Sequence, residues 1–105
     1  DWEPCLLAIL EDVRGGRPVA EIADGFHNGL VDAIADVAAE VGESRVALTG
    51  GCFQNRLLLT RTIRRLRGDG FEPYWHQRIP PNDGGLAVGQ VAAFSRQLRG
   101  TLLCA

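Results

Sequence analysis

Arg45-Val46-Ala47-Leu48-Thr49-Gly50-Gly51-Cys52-Phe53-Gln54-Asn55 is the stretch on which the reading of this chain turns. Val46, Ala47 and Leu48 make a short apolar run, Thr49, Gly50 and Gly51 stop it, and a strongly helical segment follows from Arg56 to Arg67. The pattern predicts a buried strand that ends in a tight glycine turn and feeds directly into a helix. Such a turn exposes backbone N–H groups at a helix start, where an anion or nucleotide can approach without meeting a Cβ. A second glycine-bearing turn, Pro80-Pro81-Asn82-Asp83-Gly84-Gly85, comes one crossover later. The two turns are expected to face one ligand.

Working outward, Phe71 to His76 reads as a second strand after the stop Gly68-Asp69-Gly70. Strand, helix and strand make one parallel, right-handed crossover. Pro73 lacks a donor for a sheet ladder, so the second strand is expected at an edge. Two strands are too few for a stable sheet. The sheet is therefore expected to continue into strands outside this chain or to find a partner, with exposed edges open to self-association. The absence of Met anywhere in the 105 residues points the same way, to a piece of a longer protein.

Two helices are predicted before this unit and one after it. Asp1 to Val13 carries the apolar face Leu6, Leu7, Ile9, Leu10 and Val13. Pro18 to about Val41 is a long amphipathic helix with Val19, Ile22, Phe26, Leu30, Val31, Ile34 and Ala38 at helical spacing and Gly42 as its C-cap. Gly25 and Gly29 lie inside it and would let another helix or a ligand approach closely. Leu86 to Leu98 is the last helix; Thr101 to Ala105 is apolar and unplaced. In the central helix Leu58, Leu59, Thr62, Ile63 and Leu66 are expected to face the core, with the arginines outward.

Composition narrows the function classes. No apolar run is long enough for a transmembrane helix and no signal peptide is visible, so a membrane role is not expected and a cytoplasmic setting is. Cys5, Cys52 and Cys104 are odd in number and lack a C-x-x-C pair, which argues against a zinc site or a disulfide framework. They read as small apolar residues, although Cys52 stands at a helix start, where thiols become nucleophiles. Net charge is −2, yet residues 1–44 hold ten acidic residues against two arginines, and residues 45–105 hold nine arginines against three acidic residues. That split fits solvated helix faces, or a C-terminal half that meets phosphate or an acidic partner.

The residues that could carry chemistry are few. Gly50-Gly51 matches neither the Walker pattern nor the dinucleotide fingerprint, but its place beyond the carboxyl end of a strand is where ligands bind in open α/β sheets. Asn55 and Gln54 could cap the next helix or turn their amides to a ligand. Asn82 or Asp83 could cap the last helix. Asp83 is also the one acidic residue after Glu72, a candidate oxygen ligand that cannot define a metal site alone. His27 and His76 share no metal-binding spacing; His27 reads as a structural hydrogen-bonder beside the core residue Phe26.

Taken together, the segments Val46 to Leu58, Gly70-Phe71 and Pro80 to Gln90, with Phe26-His27-Asn28 before them, resemble the C-terminal end of the HypF family of hydrogenase-maturation carbamoyltransferases. The resemblance covers nearly the whole chain. It implies an α/β fold that is one end of an actin- and hexokinase-like nucleotide-binding module, shared with the tRNA threonylcarbamoyl-transfer enzymes. It also implies chemistry in which carbamoyl phosphate and ATP give a carbamoyl-adenylate. The carbamoyl group then passes to the C-terminal cysteine of the partner HypE, to become the cyanide ligand of the nickel–iron centre. On this resemblance Gly50, Gly51 and Asn55 would contact the nucleotide and Asp83 would be one ligand of a divalent metal. The family's zinc-finger, acylphosphatase-like and adenylate-forming regions have no counterpart here, nor do its histidine metal ligands, which neither His27 nor His76 matches. The expectation is a single fragment, residues 1–105, from the C-terminal portion of a carbamoyl-transfer domain, inactive alone and with no nucleic acid as partner. Two alternatives remain at this point: an arginine-rich docking module without a catalytic role, and a carbamoyltransferase acting on another substrate or on tRNA.

Overall fold

The computed structural model describes residues 2–103. Its elements follow in the order α1 (Glu3–Arg14), α2 (Val19–Val41), β1 (Arg45–Leu48), a 3-10 turn (Gly51–Gln54), α3 (Arg56–Gly68), β2 (Glu72–Trp75), a second 3-10 turn (Asp83–Gly85) and α4 (Leu86–Leu103). Every predicted helix and strand is present. The largest difference is at the end, where α4 runs through Leu103 instead of stopping at Leu98. Cys104 and Ala105 lie outside the described residues.

β1 and β2 pair in parallel, with Arg45, Val46, Ala47 and Leu48 opposite Glu72, Pro73, Tyr74 and Trp75. The Glu72 N–H reaches the Ser44 carbonyl at 2.8 Å. In a strand the polar groups of successive residues point to opposite sides, so Glu72 and Tyr74 face β1 and Pro73 faces away. The missing donor of Pro73 thus falls on the outer edge of β2, which that residue blunts as a template for a further strand. The outer edge of β1 keeps the N–H and C=O groups of Arg45 and Ala47. Beside that edge, between β1 and α2, lies an open apolar concavity of about 630 Å³ lined by residues such as Leu30, Ile34, Val37, Val46 and Phe53, with no residue of β2 in its wall.

One face of this small sheet carries the core. Leu48 and Leu66 are buried with Ala38, and Ile34, Val46, Phe53, Leu59, Ile63, Phe71 and Trp75 pack around them. Leu58, Thr62 and Leu66 recur every four residues on α3, so one stripe of that helix meets Val31, Ala35 and Ala38 of α2. The stripe is the one the sequence predicts. Thr62 is completely buried and its hydroxyl has no hydrogen-bond partner among the described residues. Gly42 closes α2 at φ +74, a left-handed cap that glycine adopts without strain.

Helix α1 packs on α2 with Ile9 half-buried but buries none of its residues fully, and Leu86, Val88, Val91, Phe94 and Leu98 of α4 stay exposed. Two expectations fail. Phe26 is 41% exposed and is not core. Cys5 and Cys52 are exposed free thiols and do not pack as apolar residues. At Gly25 and Gly29 an added Cβ would meet nothing within 4 Å, so no described element uses those positions for close approach. The arginines of α3 are not simply outward either. Arg61 reaches back to Asp24 and Asn28 on α2, Arg65 bridges Asp32 and Asp69, and Arg67 lies over the Trp75 ring at 5.4 Å.

Candidate functional site

Both strands end on the same side of the sheet, and both glycine turns start there. Gly50 leaves β1 at φ +106 and ψ 159, a conformation open in practice only to glycine. This angle turns the Gly50 N–H away from the strand ladder and onto the Pro81 carbonyl at 2.8 Å. The two turns, well separated in sequence, are joined by that bond. Between them lies a cleft of about 500 Å³ whose wall includes Thr49, Gly50, His76, Pro81, Asn82 and Asp83. His76 and Thr49, each just past the end of a strand, are linked across it by a hydrogen bond of 3.0 Å between Nε2 and Oγ1.

The first turn is not the row of free donors that the sequence suggests. The Gly50 N–H is spent on Pro81, and the Phe53 N–H returns to the Gly50 carbonyl. The N–H groups of Gly51 and Cys52, at the start of the 3-10 turn, take no part in these bonds, and neither residue lines the cleft. Nothing lies within 4 Å of a Cβ built at Gly51, so a bulky group has room there.

Asn55 caps α3. Its Oδ1 accepts the N–H groups of Leu57 and Leu58 at 3.0 and 3.2 Å, filling two of the donors that a helix start leaves open. Its Nδ2 donates to Nε2 of His27 at 2.9 Å. Asn55 therefore turns toward α2, and neither it nor Gly51 lines the cleft that holds Gly50 and Asp83. His27 is the hydrogen-bonder expected of it, with a partner across 28 residues that the sequence does not reveal.

The second turn is built around Asn82. Its Oδ1 accepts the Gly84 N–H at 3.0 Å and its carbonyl accepts the Gly85 N–H at 2.9 Å. Asn82, not Asp83, is thus the capping side chain, which leaves the exposed Asp83 carboxylate without a hydrogen bond or ion pair among the described residues. Gly85 is required by close approach: a Cβ there would sit 2.5 Å from the Pro80 carbonyl oxygen. Asp83 fits the part of one hard oxygen ligand. Among the described residues no group of three His, Cys, Asp or Glu side chains could hold an ion, so a complete metal site needs donors from elsewhere.

A parallel strand-turn-helix unit with a cleft beyond its carboxyl ends defines the class, an α/β fragment with its candidate ligand site where open α/β sheets bind their ligands. Comparison with known proteins narrows it. Residues 1–90 match the family model described as carbamoyltransferase, Kae1-like domain, second subdomain. The chain is 45% identical over 93 residues to the carbamoyltransferase HypF of Synechocystis sp., which covers 89% of this chain and 12% of that protein. It is 43% identical over 103 residues to HypF of Rhizobium leguminosarum bv. viciae, covering 93% and 13%. Its structure superposes with a TM-score of 0.75 and 42% identity on full-length HypF crystallised in the phosphate- and nucleotide-bound form, covering 81% of this chain and 12% of that one. The chain belongs to the HypF carbamoyltransferase family, and it spans about one eighth of the length of these relatives.

Proposed function

We propose that this chain forms one wall of the nucleotide site of a carbamoyltransferase in nickel–iron hydrogenase maturation. The observation that carries this reading is the bond from Gly50 to Pro81, which makes a single cleft out of two turns. A relative at 42% identity crystallised with phosphate and nucleotide lends it weight. Carbamoyl phosphate and ATP are the substrates, carbamoyl-adenylate the intermediate, and the terminal cysteine thiol of a HypE-type protein the acceptor. The setting is the cytoplasm; no helix of the described residues is long and apolar enough to cross a membrane.

In this reading residues 1–105 are the C-terminal portion of a carbamoyl-transfer domain of the actin and hexokinase type, and the open edge of β1 receives the rest of its sheet. Gly50 and Gly51 let the nucleotide approach the backbone. Asn55 offers its second amide N–H, the first being held by His27. Asp83 supplies one oxygen to a divalent metal, which when bound would neutralise charge on the transferring group. The isolated chain has half a site and turns over no ATP.

A docking role for the arginine face is the weaker reading, because Arg61 and Arg65 already have carboxylate partners within the chain. The test is made in the full-length enzyme. Asp83→Ala abolishes carbamoyl-phosphate-dependent ATP turnover and carbamoylation of the HypE thiol, and Asn55→Ala raises the KM for ATP in the same reactions, each while leaving the protein folded. Full transfer activity in both variants would sink the reading.

A further inference from the structure

Asn55 can satisfy α3 in one orientation alone. Its Oδ1 takes the N–H groups of Leu57 and Leu58; turned over, the amide would put its own N–H groups against those donors. The Nδ2 must therefore point at α2, and there it needs an acceptor. His27 supplies one at 2.9 Å, but only if its Nε2 carries a lone pair. That condition is met from the other side of the ring. Nδ1 lies 2.7 Å from the Ala23 carbonyl oxygen, which can only accept, so the imidazole proton resides on Nδ1. A chain of bonds thus runs from the α2 backbone through His27 and Asn55 into the first turn of α3.

We propose that His27 is the positioning residue of the nucleotide turn. Held as the Nδ1–H tautomer, it locks the Asn55 amide, and with it the segment from Gly51 to the start of α3, at a fixed place relative to α2. This inference rests on the reading that Asn55 meets the nucleotide. It adds a residue from outside both glycine turns, acting through Asn55 and not by touching the ligand. The neighbouring charges do not compete for the bond: Asp24, one turn earlier on α2, is paired with Arg61 of α3.

The experiment uses the full-length carbamoyltransferase with His27→Leu, His27→Gln and Asn55→Ala. Replacement by Leu removes the acceptor and is expected to raise KM for ATP about tenfold while kcat changes less than about twofold, the size of one lost hydrogen bond. Replacement by Gln restores most of the affinity, because its Oε1 is as far from the backbone as Nε2 and accepts the same amide proton. Nitrogen NMR shifts of His27 show a protonated Nδ1. A protonated Nε2 in the neutral ring, or Leu and Gln variants with the same KM, overturns the proposal. If Asn55→Ala raises KM and His27→Leu does not, this inference alone falls. If Asn55→Ala leaves KM unchanged, the nucleotide reading of Asn55 falls and takes the inference with it.

Discussion

Gly50 and Pro81 are joined by a backbone hydrogen bond of 2.8 Å, and through it the loop after β2 is anchored to the turn after β1. Neither strand is long, and the sheet has no third member among the described residues. The bond therefore does what a larger sheet would otherwise do: it fixes where the Asp83 carboxylate stands relative to the Gly50-Gly51 turn.

Replacing Gly50 by Ala tests that anchor. At φ +106 and ψ 159 an L side chain is strained whatever the space around it, at a cost of about 1–3 kcal/mol. Since a Cβ at Gly50 meets nothing within 4 Å, the penalty comes from the backbone and not from a clash. The turn relaxes by rotating φ, which swings the N–H off Pro81. The expected result is faster amide exchange at Gly50 and a lower unfolding midpoint, both read in the same hydrogen-exchange and denaturation series. Unchanged exchange at Gly50 would count against the anchor.

Gly85→Ala strains the second turn by a different route. Gly85 has no positive φ, but a Cβ would come within 2.5 Å of the Pro80 carbonyl oxygen, a backbone atom with little freedom to yield. The loop carrying Asp83 must move, so transfer activity of the full-length enzyme should fall at least tenfold, on the order expected for misplacing a reacting group by about 1 Å. Comparing it with Gly84→Ala separates the effect from a general dislike of side chains. There the near atom is the Asn82 Oδ1 at 3.1 Å, the end of a side chain that can shift. Gly84→Ala is expected to be the milder of the two.

Much of this was legible in the residues. The apolar run Val46 to Leu48, the glycine stop and the arginine-rich helix with Leu58, Thr62 and Leu66 on one stripe gave the β-α-β unit, because period and punctuation are local signals. The Asn55 cap was one of two roles its side chain allowed. What could not be read was anything that depends on long-range geometry. No spacing rule joins His27 to Asn55 or Gly50 to Pro81, and nothing local says that the acidic face of α2 is the partner of Arg61 and Arg65. The apolar stripes of α1 and α4 were legible as stripes, but periodicity reports amphipathicity and not what covers it.

The pairing of α2 with α3 should weaken in acid. The hydrogen bond from Arg61 is the main reason that the Asp24 carboxyl lies below its ordinary 3.8; partial burial opposes the shift, and the Arg61 charge, the Asn28 amide and His27 add to it. A carboxylate whose value is depressed in the folded chain contributes stability that is fully present above the unfolded value. That contribution is lost as pH falls through the folded one. The difference in thermal midpoint between wild type and Asp24→Asn should therefore be constant from neutral pH down to about 4 and close toward zero below it. Salt should shrink the same difference, since Asp24 is half exposed. A difference that persists undiminished at pH 2 would show that the Asp24 charge is not what joins the helices.

Thr62 offers the converse, a substitution expected to stabilise. Its side chain is fully buried in the stripe between Leu58 and Leu66, and its hydroxyl finds no partner among the described residues. Burying a hydroxyl without a hydrogen bond costs about 1–3 kcal/mol in protein mutational series. Val has nearly the shape of Thr and puts a methyl group where the hydroxyl stands, so Thr62→Val removes that cost without opening a cavity. Thr62→Ala also removes the hydroxyl but deletes the methyl group, leaving a void next to Leu66 whose cost offsets the gain. The ordering of unfolding midpoints should be Val above Thr, with Ala at or below Thr. Should Val fall below the wild type, the hydroxyl must have a partner in solution, and a water bound between α2 and α3 would be the first place to look.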